Sequence, residues 1–323
     1  MVALLVLPLF GAALSLSFTR LPHLRPWQWV PDAIGSGLAA IAAVALLAGL
    51  GREETLVGAW FPASVLGELM VVRPDPAGTA ILFALAIAQA AGALTRRTAS
   101  WSRLMAAAAF GGLALAATAN SVVALLAGLG LADLFTVARR FARGEDARRV
   151  AGDALLWLLA DAFAVMAIAS VAATSTSTYF PLTQFGPRAA GFMGVSVALR
   201  HGLSVFREEG AVNRERSRFD SDLWATSAPV LAGLIVIMRL SMLGAPALPD
   251  IVLALALAAG VIQLARAAVD PNPSRAAPRA LAGMLALAVL GAAAWQPAPL
   301  AAGVIAFTLG SALLRRDYGP LLD

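Results

Sequence analysis

The sequence predicts an all-α fold, a polytopic transmembrane helical bundle of about 11 spans that forms one integral membrane domain over residues 1–323. Hydrophobic residues make up 60% of the chain, and the mean hydropathy is +0.80. They are grouped in stretches of about 20 residues, the length of a helix that crosses a hydrocarbon core. Such a helix satisfies its own backbone hydrogen bonds in lipid. Most of the chain is therefore expected to lie in the bilayer.

The order of the apolar stretches defines the individual helices. The predicted spans occupy residues 1–18, 33–50, 77–95, 104–118, 119–137, 154–172, 189–206, 226–243, 251–268, 280–294 and 300–314.

Arginines mark one side of these spans. The connections after the odd-numbered spans, together with the C-terminus, carry 19 arginines, whereas the opposite connections carry three. Basic residues are retained on the cytoplasmic side of a membrane. We therefore expect a bacterial-type inner membrane protein with its N-terminus outside and its C-terminus in the cytoplasm. The 19 arginines are Arg20, Arg25, Arg96, Arg97, Arg103, Arg139, Arg140, Arg143, Arg148, Arg149, Arg207, Arg214, Arg216, Arg218, Arg266, Arg275, Arg279, Arg315 and Arg316.

The composition narrows the possible chemistry. Cysteine is absent, so disulfides and thiolate ligands are excluded. The two histidines, His23 and His201, are too few and too far apart for a histidine metal site. All 24 basic residues are arginines, which stay charged when buried and do not relay protons as lysine does. We expect no metal, no cofactor and no nucleic-acid partner. No catalytic constellation is visible, which disfavours a membrane-embedded enzyme.

Charged groups inside the spans are the candidate functional residues, because such groups are costly in lipid. They are Asp133, Asp161, Arg200 and His201. At 1.5 Å per residue the two aspartates and Arg200 are predicted about 7–10 Å from the cytoplasmic ends of their spans. Arg200 is predicted to pair with one aspartate, either as a structural lock or as part of an ion or proton path. Arg239 lies near the outer end of its span and is predicted to snorkel to the interface.

Three connections have distinctive patterns. The mixed-charge segment 207–222 is predicted to be a solvated loop or a docking surface for a soluble cytoplasmic subunit. The segment 138–150 has helical spacing and a basic face, which suits an anionic membrane surface or a simple positive-inside anchor. The connection 51–76 alternates apolar residues and predicts a small hairpin at the interface.

Two segments in the first half have the form of known helix motifs. VVRPDPAGTAILFAL (71–85) matches a "D-G/P-L-S" pattern at the start of a helix, with Asp75 at the aspartate. FGGLALAATANSVVALLAGLGLADLF (110–135) matches a pair of helices joined at an asparagine or aspartate, here Asn120.

Three further segments continue this order. ALLWLLADAFAVMAIA (154–169) places Asp161 at an aspartate ahead of an apolar run, FMGVSVALRHGLSVF (192–206) takes the position of a broken helix, and PNPSRAAPRALAGMLALAVLG (271–291) follows later. Together the segments resemble the antiporter-like membrane subunits of respiratory complex I, Mrp cation/proton antiporters, group 4 hydrogenases and a bicarbonate-uptake complex.

The chain also departs from the family pattern. The fifth-helix glutamate is replaced by the nearby Asp133, and the seventh-helix "K-S-A-Q-x-P" is replaced by Leu199, Arg200 and His201. The sequence ends after span 11, where the family continues for about three more helices, so the resemblance implies a truncated, degenerate member.

The resemblance implies a non-enzymatic membrane subunit of a larger ion-coupled or redox assembly, acting in assembly or partial proton or cation conduction. Other membrane subunits would then be its partners, beside the lipid bilayer. The alternative is a self-contained secondary transporter of a small ion or solute that uses Asp133, Asp161 and Arg200. Proton pumping by this chain alone is predicted to be absent or feeble.

Overall fold

The computed structural model describes most of the first nine predicted spans. The described residues are 2–50, 55–59, 69–94, 100–142, 144, 146–173, 186–207, 231–236, 238–239, 250–271, 276 and 279–280. The α-helices within them are Val2–Thr19 (α1), Val30–Leu47 (α2), Pro76–Leu94 (α3), Ser100–Thr118 (α4), Val122–Ala142 (α5), Ala147–Ala172 (α6), Pro187–Arg207 (α7) and Asp250–Val269 (α8).

Two shorter helical pieces complete the described part of the chain. A 3-10 helix, Arg25–Trp27, precedes α2, and residues 231–236 and 238–239 are helical between α7 and α8. The helices follow the predicted spans in order. The last two predicted spans lie almost wholly outside the described residues, so the count of eleven stays a prediction.

Length and composition identify three described helices that are long and apolar enough to cross a membrane: Arg25–Leu47, Val122–Ala142 and Val150–Val171. Shorter apolar helices run over Val6–Thr19, Pro76–Ile87 and Gly260–Val269. Large apolar side chains also remain exposed on the outside of the bundle, as expected for helices that face lipid. Those on α1, α2, α6 and α8 include Phe10, Leu14, Ile34, Ile41, Leu155, Leu158, Val165, Val261 and Ile262.

Small residues allow the helices to pack closely. α4 packs on α5, and a Cβ atom at Gly112 would lie 2.7 Å from the carbonyl oxygen of Gly128. α1 packs on α2 in the same way, with Gly11 against Gly35. The core around these crossings is rich in alanine, and its largest fully buried side chain is Phe110. Close backbone approach through glycine and alanine is the common solution for helix pairs in membranes.

The predicted hairpin is confirmed. Thr55–Ala59 (β1) pairs antiparallel with Leu69–Val72 (β2). β2 then bridges to Ala119 in the turn between α4 and α5. Two backbone hydrogen bonds extend this contact, from Arg73 N–H to the Thr118 oxygen at 2.7 Å and from Asn120 N–H to the Val71 oxygen at 2.8 Å. We call this end of the bundle the hairpin end; it is the end predicted to face outward.

The opposite end is formed by the start of α2, the end of α3, the start of α4 and the connection from α5 to α6. We call it the arginine end, and it is the end predicted to face the cytoplasm. The segment 138–150 is not one continuous helix, and its role as a basic anchor at the membrane stays a prediction. α5 ends at Ala142, Gly144 has a positive φ of 74°, and Asp146 caps α6 by accepting a hydrogen bond from Arg148 N–H at 3.3 Å.

Candidate ion-pathway site and charged clusters

Asp133 and Asp161 both lie near the middle of their helices. Asp133 is the twelfth of the 21 residues of α5 and is buried, with 8% of its surface exposed. Asp161 is the fifteenth of the 26 residues of α6 and is half-buried. α5 continues five residues beyond the predicted end of span 5, so Asp133 lies farther from the end of its helix than the sequence predicted. Both carboxylates therefore belong to the central level of the bundle.

An ion pair fixes the alignment of these two helices. Arg140 Nη1 pairs with Asp153 Oδ2 across the interface between α5 and α6. From this pair Asp133 is seven residues back along α5, and Asp161 is eight residues forward along α6. In antiparallel helices these steps cover nearly the same distance, about 10–12 Å. We infer that Asp133 and Asp161 lie at the same level of neighbouring helices.

Side-chain direction agrees with this alignment. Asp133 and Arg140 are seven residues apart, so they share one face of α5. Asp161 is eight residues from Asp153, which places it beside, rather than on, the face of α6 that carries Asp153. Its half-buried side chain fits that position.

Arg200 and His201 lie on α7, which packs on α6. One visible contact between these helices is the tilted ring pair Phe163 and Phe192, with centroids 6.4 Å apart. The side chains of Arg200 and His201 lie outside the described part of the structure. The pairing of Arg200 with Asp133 or Asp161 therefore stays a prediction.

At the hairpin end Arg239 does not snorkel to the interface as predicted. Its Nη2 atom lies 2.5 Å from Asp75 Oδ2, and only 4% of the residue is exposed. Asp75 also caps α3, because its Oδ1 accepts a hydrogen bond from Gly78 N–H at 2.8 Å. The aspartate singled out by its motif thus joins the start of α3 to the helical residues 238–239.

Gly78 leaves room for this pair. A Cβ atom at position 78 would lie 2.9 Å from Arg239 Nη2 and would also clash with the Ala117 carbonyl oxygen. The glycine therefore allows α3, α4 and the arginine to meet in one place.

The arginine end contains a buried polar group that the sequence reasoning missed. We call it the Asp32 cluster; its members, each at most 7% exposed, are Ser15, Asp32, Gln89, Ser102, Arg103 and Arg139. The positive charges of Arg103 and Arg139 act on the carboxylate of Asp32 within this cluster. The predicted spans begin one residue after Asp32 and one after Arg103, so both were assigned to connections. The sequence signal that could have located the cluster is a serine in each of two neighbouring helices, Ser15 in α1 and Ser102 in α4.

Hydrogen bonds connect this cluster across three helices, α1, α4 and α5, and the connection that precedes α2. Arg139 Nε donates to both the carbonyl oxygen and the hydroxyl of Ser102, at 3.2 Å each. Arg103 Nη1 donates to the hydroxyl of Ser15 at 3.4 Å, and that hydroxyl donates to the carbonyl oxygen of Gln28. Arg103 and Arg139, both assigned to connections from the sequence, thus lie inside the protein.

Within the described residues, no group of three or more histidine, cysteine or carboxylate side chains is arranged to hold a metal ion. The described residues contain three sites of charged side chains: Asp133 and Asp161 at the central level, the Asp75–Arg239 pair at the hairpin end, and the Asp32 cluster at the arginine end.

Comparison with known proteins yields solved structures only. No family model matches the sequence, and no curated protein matches it. The Mrp complex from Dietzia sp. DQ12-45-1b contains a chain with a TM-score of 0.74 and 15% identity, covering 98% of this chain and 38% of that one. The membrane-bound sulfane sulfur reductase, an archaeal respiratory membrane complex, gives a TM-score of 0.71 and 14% identity over 96% of this chain and 55% of the other.

Respiratory complex I from Thermus thermophilus is a third example, with a TM-score of 0.62, 18% identity and coverage of 88% of this chain and 64% of that chain. In these three cases this chain spans between about a third and two thirds of the length of the chain it matches. The likenesses confirm the antiporter-like membrane-subunit fold that the sequence resemblance predicts. Function requires a separate argument, because one fold supports several activities.

Proposed function

We propose that this chain is a non-enzymatic membrane subunit of a larger ion-coupled or redox assembly, where it serves assembly or partial proton or cation conduction. The observation that carries the proposal is the fold likeness, which extends over 88–98% of the chain to subunits of three different membrane complexes. Buried charges at three levels add to it, because ionisable groups inside a membrane protein usually mark an ion path or a functional contact.

The central level is where conduction would depend on this chain. Asp133 and Asp161 are groups that can take up and release a proton or hold a cation, and Arg200 and His201 on the next helix are the candidates to modulate them. The arginines of the two ends stay charged and do not relay protons.

Along α5 and α6 the side chains leave a gap between the two aspartates and the hairpin end. From Asp133 to the start of α5, and from Asp161 to the end of α6, neither helix carries a titratable side chain. This distance is about 16 Å in each helix. A proton crossing it would need ordered water or groups from a partner subunit. Pumping by the isolated chain is therefore expected to be absent or feeble.

Purification distinguishes a subunit from a self-contained transporter. The tagged full-length chain, expressed at its native level and extracted in mild detergent, should bring other membrane subunits with it. Recovery of the chain alone, in a form that is active in liposomes, would favour the transporter.

The conduction test uses purified protein in liposomes with an interior pH dye and an imposed potential. Acidification should not exceed that of protein-free vesicles, and it should rise when the copurified subunits are included. In that complete assembly Asp133→Asn and Asp161→Asn should reduce the signal, whereas Asp146→Asn, at an exposed cap, should not. Strong acidification by the chain alone that is lost in Asp161→Asn would overturn the proposal of partial conduction.

Two further parts of the proposal concern orientation and docking. The arginine distribution predicts a cytoplasmic C-terminus. A reporter that functions only in the cytoplasm should therefore be active when fused after Arg316, and a reporter that functions only in the periplasm should be inactive there. The segment 207–222, which lies mainly outside the described residues, is proposed to contact a soluble subunit. Cross-linking from single cysteines introduced there should capture that subunit; capture of membrane subunits alone would argue against this docking site.

A further inference from the structure

The connection between α1 and α2, residues 20–29, carries exposed cationic side chains at the arginine end. Arg20 and Arg25 are both exposed, and within the described residues neither side chain forms an ion pair or a hydrogen bond. Residues 1–31 contain no aspartate or glutamate, and the first carboxylate of the sequence, Asp32, is only 2% exposed. The two guanidinium groups therefore have no exposed carboxylate in this part of the chain to pair with.

Large apolar side chains are exposed beside these arginines. Leu21 is 51% exposed and Trp27 is 59% exposed. Four tryptophans lie in the described part of the chain, and the two exposed ones, Trp27 and Trp101, both belong to the arginine end. Tryptophan is enriched where a bilayer meets water, because its ring is apolar and its N–H group is polar. This surface therefore suits the level of the lipid headgroups.

Hydrogen bonds within the 20–29 segment hold it in one shape. Arg25 N–H donates to the Leu21 oxygen at 3.1 Å, and Trp27 N–H donates to the Leu24 oxygen at 2.9 Å. Residues Arg25–Trp27 form a 3-10 helix. A surface that is already ordered loses less conformational entropy when it binds a ligand.

The segment is also fixed to the neighbouring helices. The buried Ser15 hydroxyl donates to the Gln28 carbonyl oxygen and accepts from Arg103 Nη1 at 3.4 Å. Arg103 lies in the first turn of α4, two residues after Trp101. The start of α4 therefore lies beside the 20–29 segment.

The other basic stretch at this end, residues 138–150, points two of its arginines inward. Arg139 donates to Ser102, Arg140 pairs with Asp153, and both arginines are at most 8% exposed. The exposed arginines of the 20–29 segment are therefore better placed to meet a group outside the protein.

We propose that the 20–29 segment binds the phosphate of an anionic phospholipid at the membrane surface. Arg20 and Arg25 donate to the phosphate oxygens, since a planar guanidinium group matches phosphate geometry. Leu21 and Trp27 contact the glycerol region and the first acyl carbons. A zwitterionic lipid binds more weakly, because its amine offsets the attraction between the phosphate and the arginines. This proposal does not depend on the subunit role proposed above.

The test uses tryptophan fluorescence and brominated lipids, which quench tryptophans that they contact. The full-length protein, with any copurifying subunits, is reconstituted in bilayers of phosphatidylcholine and phosphatidylglycerol, with one lipid brominated at a time. The difference between wild type and Trp27→Phe isolates Trp27 among the seven tryptophans of the chain. At low salt, phosphatidylglycerol should quench Trp27 at a mole fraction about tenfold lower than phosphatidylcholine. High salt should remove most of this preference.

The variants locate the site. Arg20→Gln combined with Arg25→Gln should abolish the preference and leave quenching by phosphatidylcholine unchanged, whereas lysine at both positions should keep most of it. Arg25→Gln alone should weaken the preference. Arg188→Gln removes one charge at an exposed position of α7 and should not change it.

Three results would overturn the proposal. The first is equal quenching of wild-type Trp27 by the two lipids, and the second is a preference that survives the double glutamine variant. The third is protection of Trp27 from both lipids by copurifying subunits, which would identify a protein as the occupant. If a variant does not fold, the wild-type preference and its salt dependence decide.

Discussion

The hairpin end and the arginine end of the bundle are held together in different ways. At the hairpin end, backbone hydrogen bonds join β2 to the turn between α4 and α5. In addition, Asp75 caps α3 and forms an ion pair with Arg239. At the arginine end, side chains connect the helices, through Arg139 to Ser102, Arg103 to Ser15 and Arg140 to Asp153. The hairpin end depends on one ion pair, whereas the arginine end combines the ion pair of Arg140 and Asp153 with arginines that hydrogen-bond to serines.

This difference has a consequence for mutation. Loss of one member of a balanced buried pair leaves a full charge alone, which costs several kcal/mol. Loss of one member of a shared network leaves the other members together. Removal of a single charge should therefore cost more at the Asp75–Arg239 pair of the hairpin end than in the Asp32 cluster of the arginine end.

The largest effect is expected for Arg239→Leu. It leaves Asp75 without its partner in a buried site, and the free energy of unfolding should fall by about 3–5 kcal/mol. Thermal unfolding in detergent measures the change. Asp75→Asn together with Arg239→Leu should be milder than Arg239→Leu alone, since asparagine still caps α3. Arg188→Leu, at an exposed position of α7, is the control. A double variant as unstable as the single one would argue against the pair.

The crossing of α4 and α5 connects the two ends, and Gly112→Ala should weaken it. The added methyl group would meet the backbone at Ala132 and Gly128, so we expect a loss of about 1–3 kcal/mol. Gly111→Ala is a matched control at the adjacent residue, because a Cβ atom there meets nothing within 4 Å. It should be neutral or slightly stabilising through helix propensity. Equal losses in both variants would show that the effect is not steric.

Arg139→Leu tests the arginine end. It removes the hydrogen bonds to Ser102 but leaves Asp32 with Arg103, so the loss should be about 1–2 kcal/mol, smaller than for Arg239→Leu. Thermal unfolding in detergent again measures the change. If the free energy of unfolding falls as much as in Arg239→Leu, the predicted difference between the two sites is wrong.

The smallest effect is expected for Ser121→Ala at the start of α5. The serine hydroxyl accepts a hydrogen bond from Ala124 N–H at 3.2 Å, and its loss should cost about 1 kcal/mol. Ser121→Asn keeps an acceptor and should retain most of the stability. If alanine and asparagine behave alike, the cap contributes little.

The sequence was a good guide to the helices and a poor guide to their ends. Long apolar stretches predicted the positions of α1 to α8, because burial in lipid requires that composition. The motif around Asp75 and the turn at Asn120 were also recognisable, since each marks a helix boundary. The location of a charged side chain close to a helix boundary was harder to predict, because an arginine at such a position can end the helix, face solvent or point into the protein.

Arg139 and Arg239 illustrate this limit. Both were read as interface residues from their position in the chain, yet both are buried, at 6% and 4% exposure. Each arginine contacts a partner that is distant in sequence: Arg139 contacts Ser102, and Arg239 contacts Asp75. Hydropathy within a window carries no information about such partners. The central level was predicted in part, because Asp133 and Asp161 are conspicuous in apolar helices.

The bridge between Val72 and Ala119 also constrains biosynthesis. β2 is complete on the hairpin side before α3 and α4 are made, but its bonding partner emerges only after both helices have been inserted. At 5–20 residues per second the strand waits roughly 2–10 s for that partner. The turn reaches it only if α4 returns to the side from which α3 departed. Closure of this bridge therefore requires that α3 and α4 cross the membrane in opposite directions.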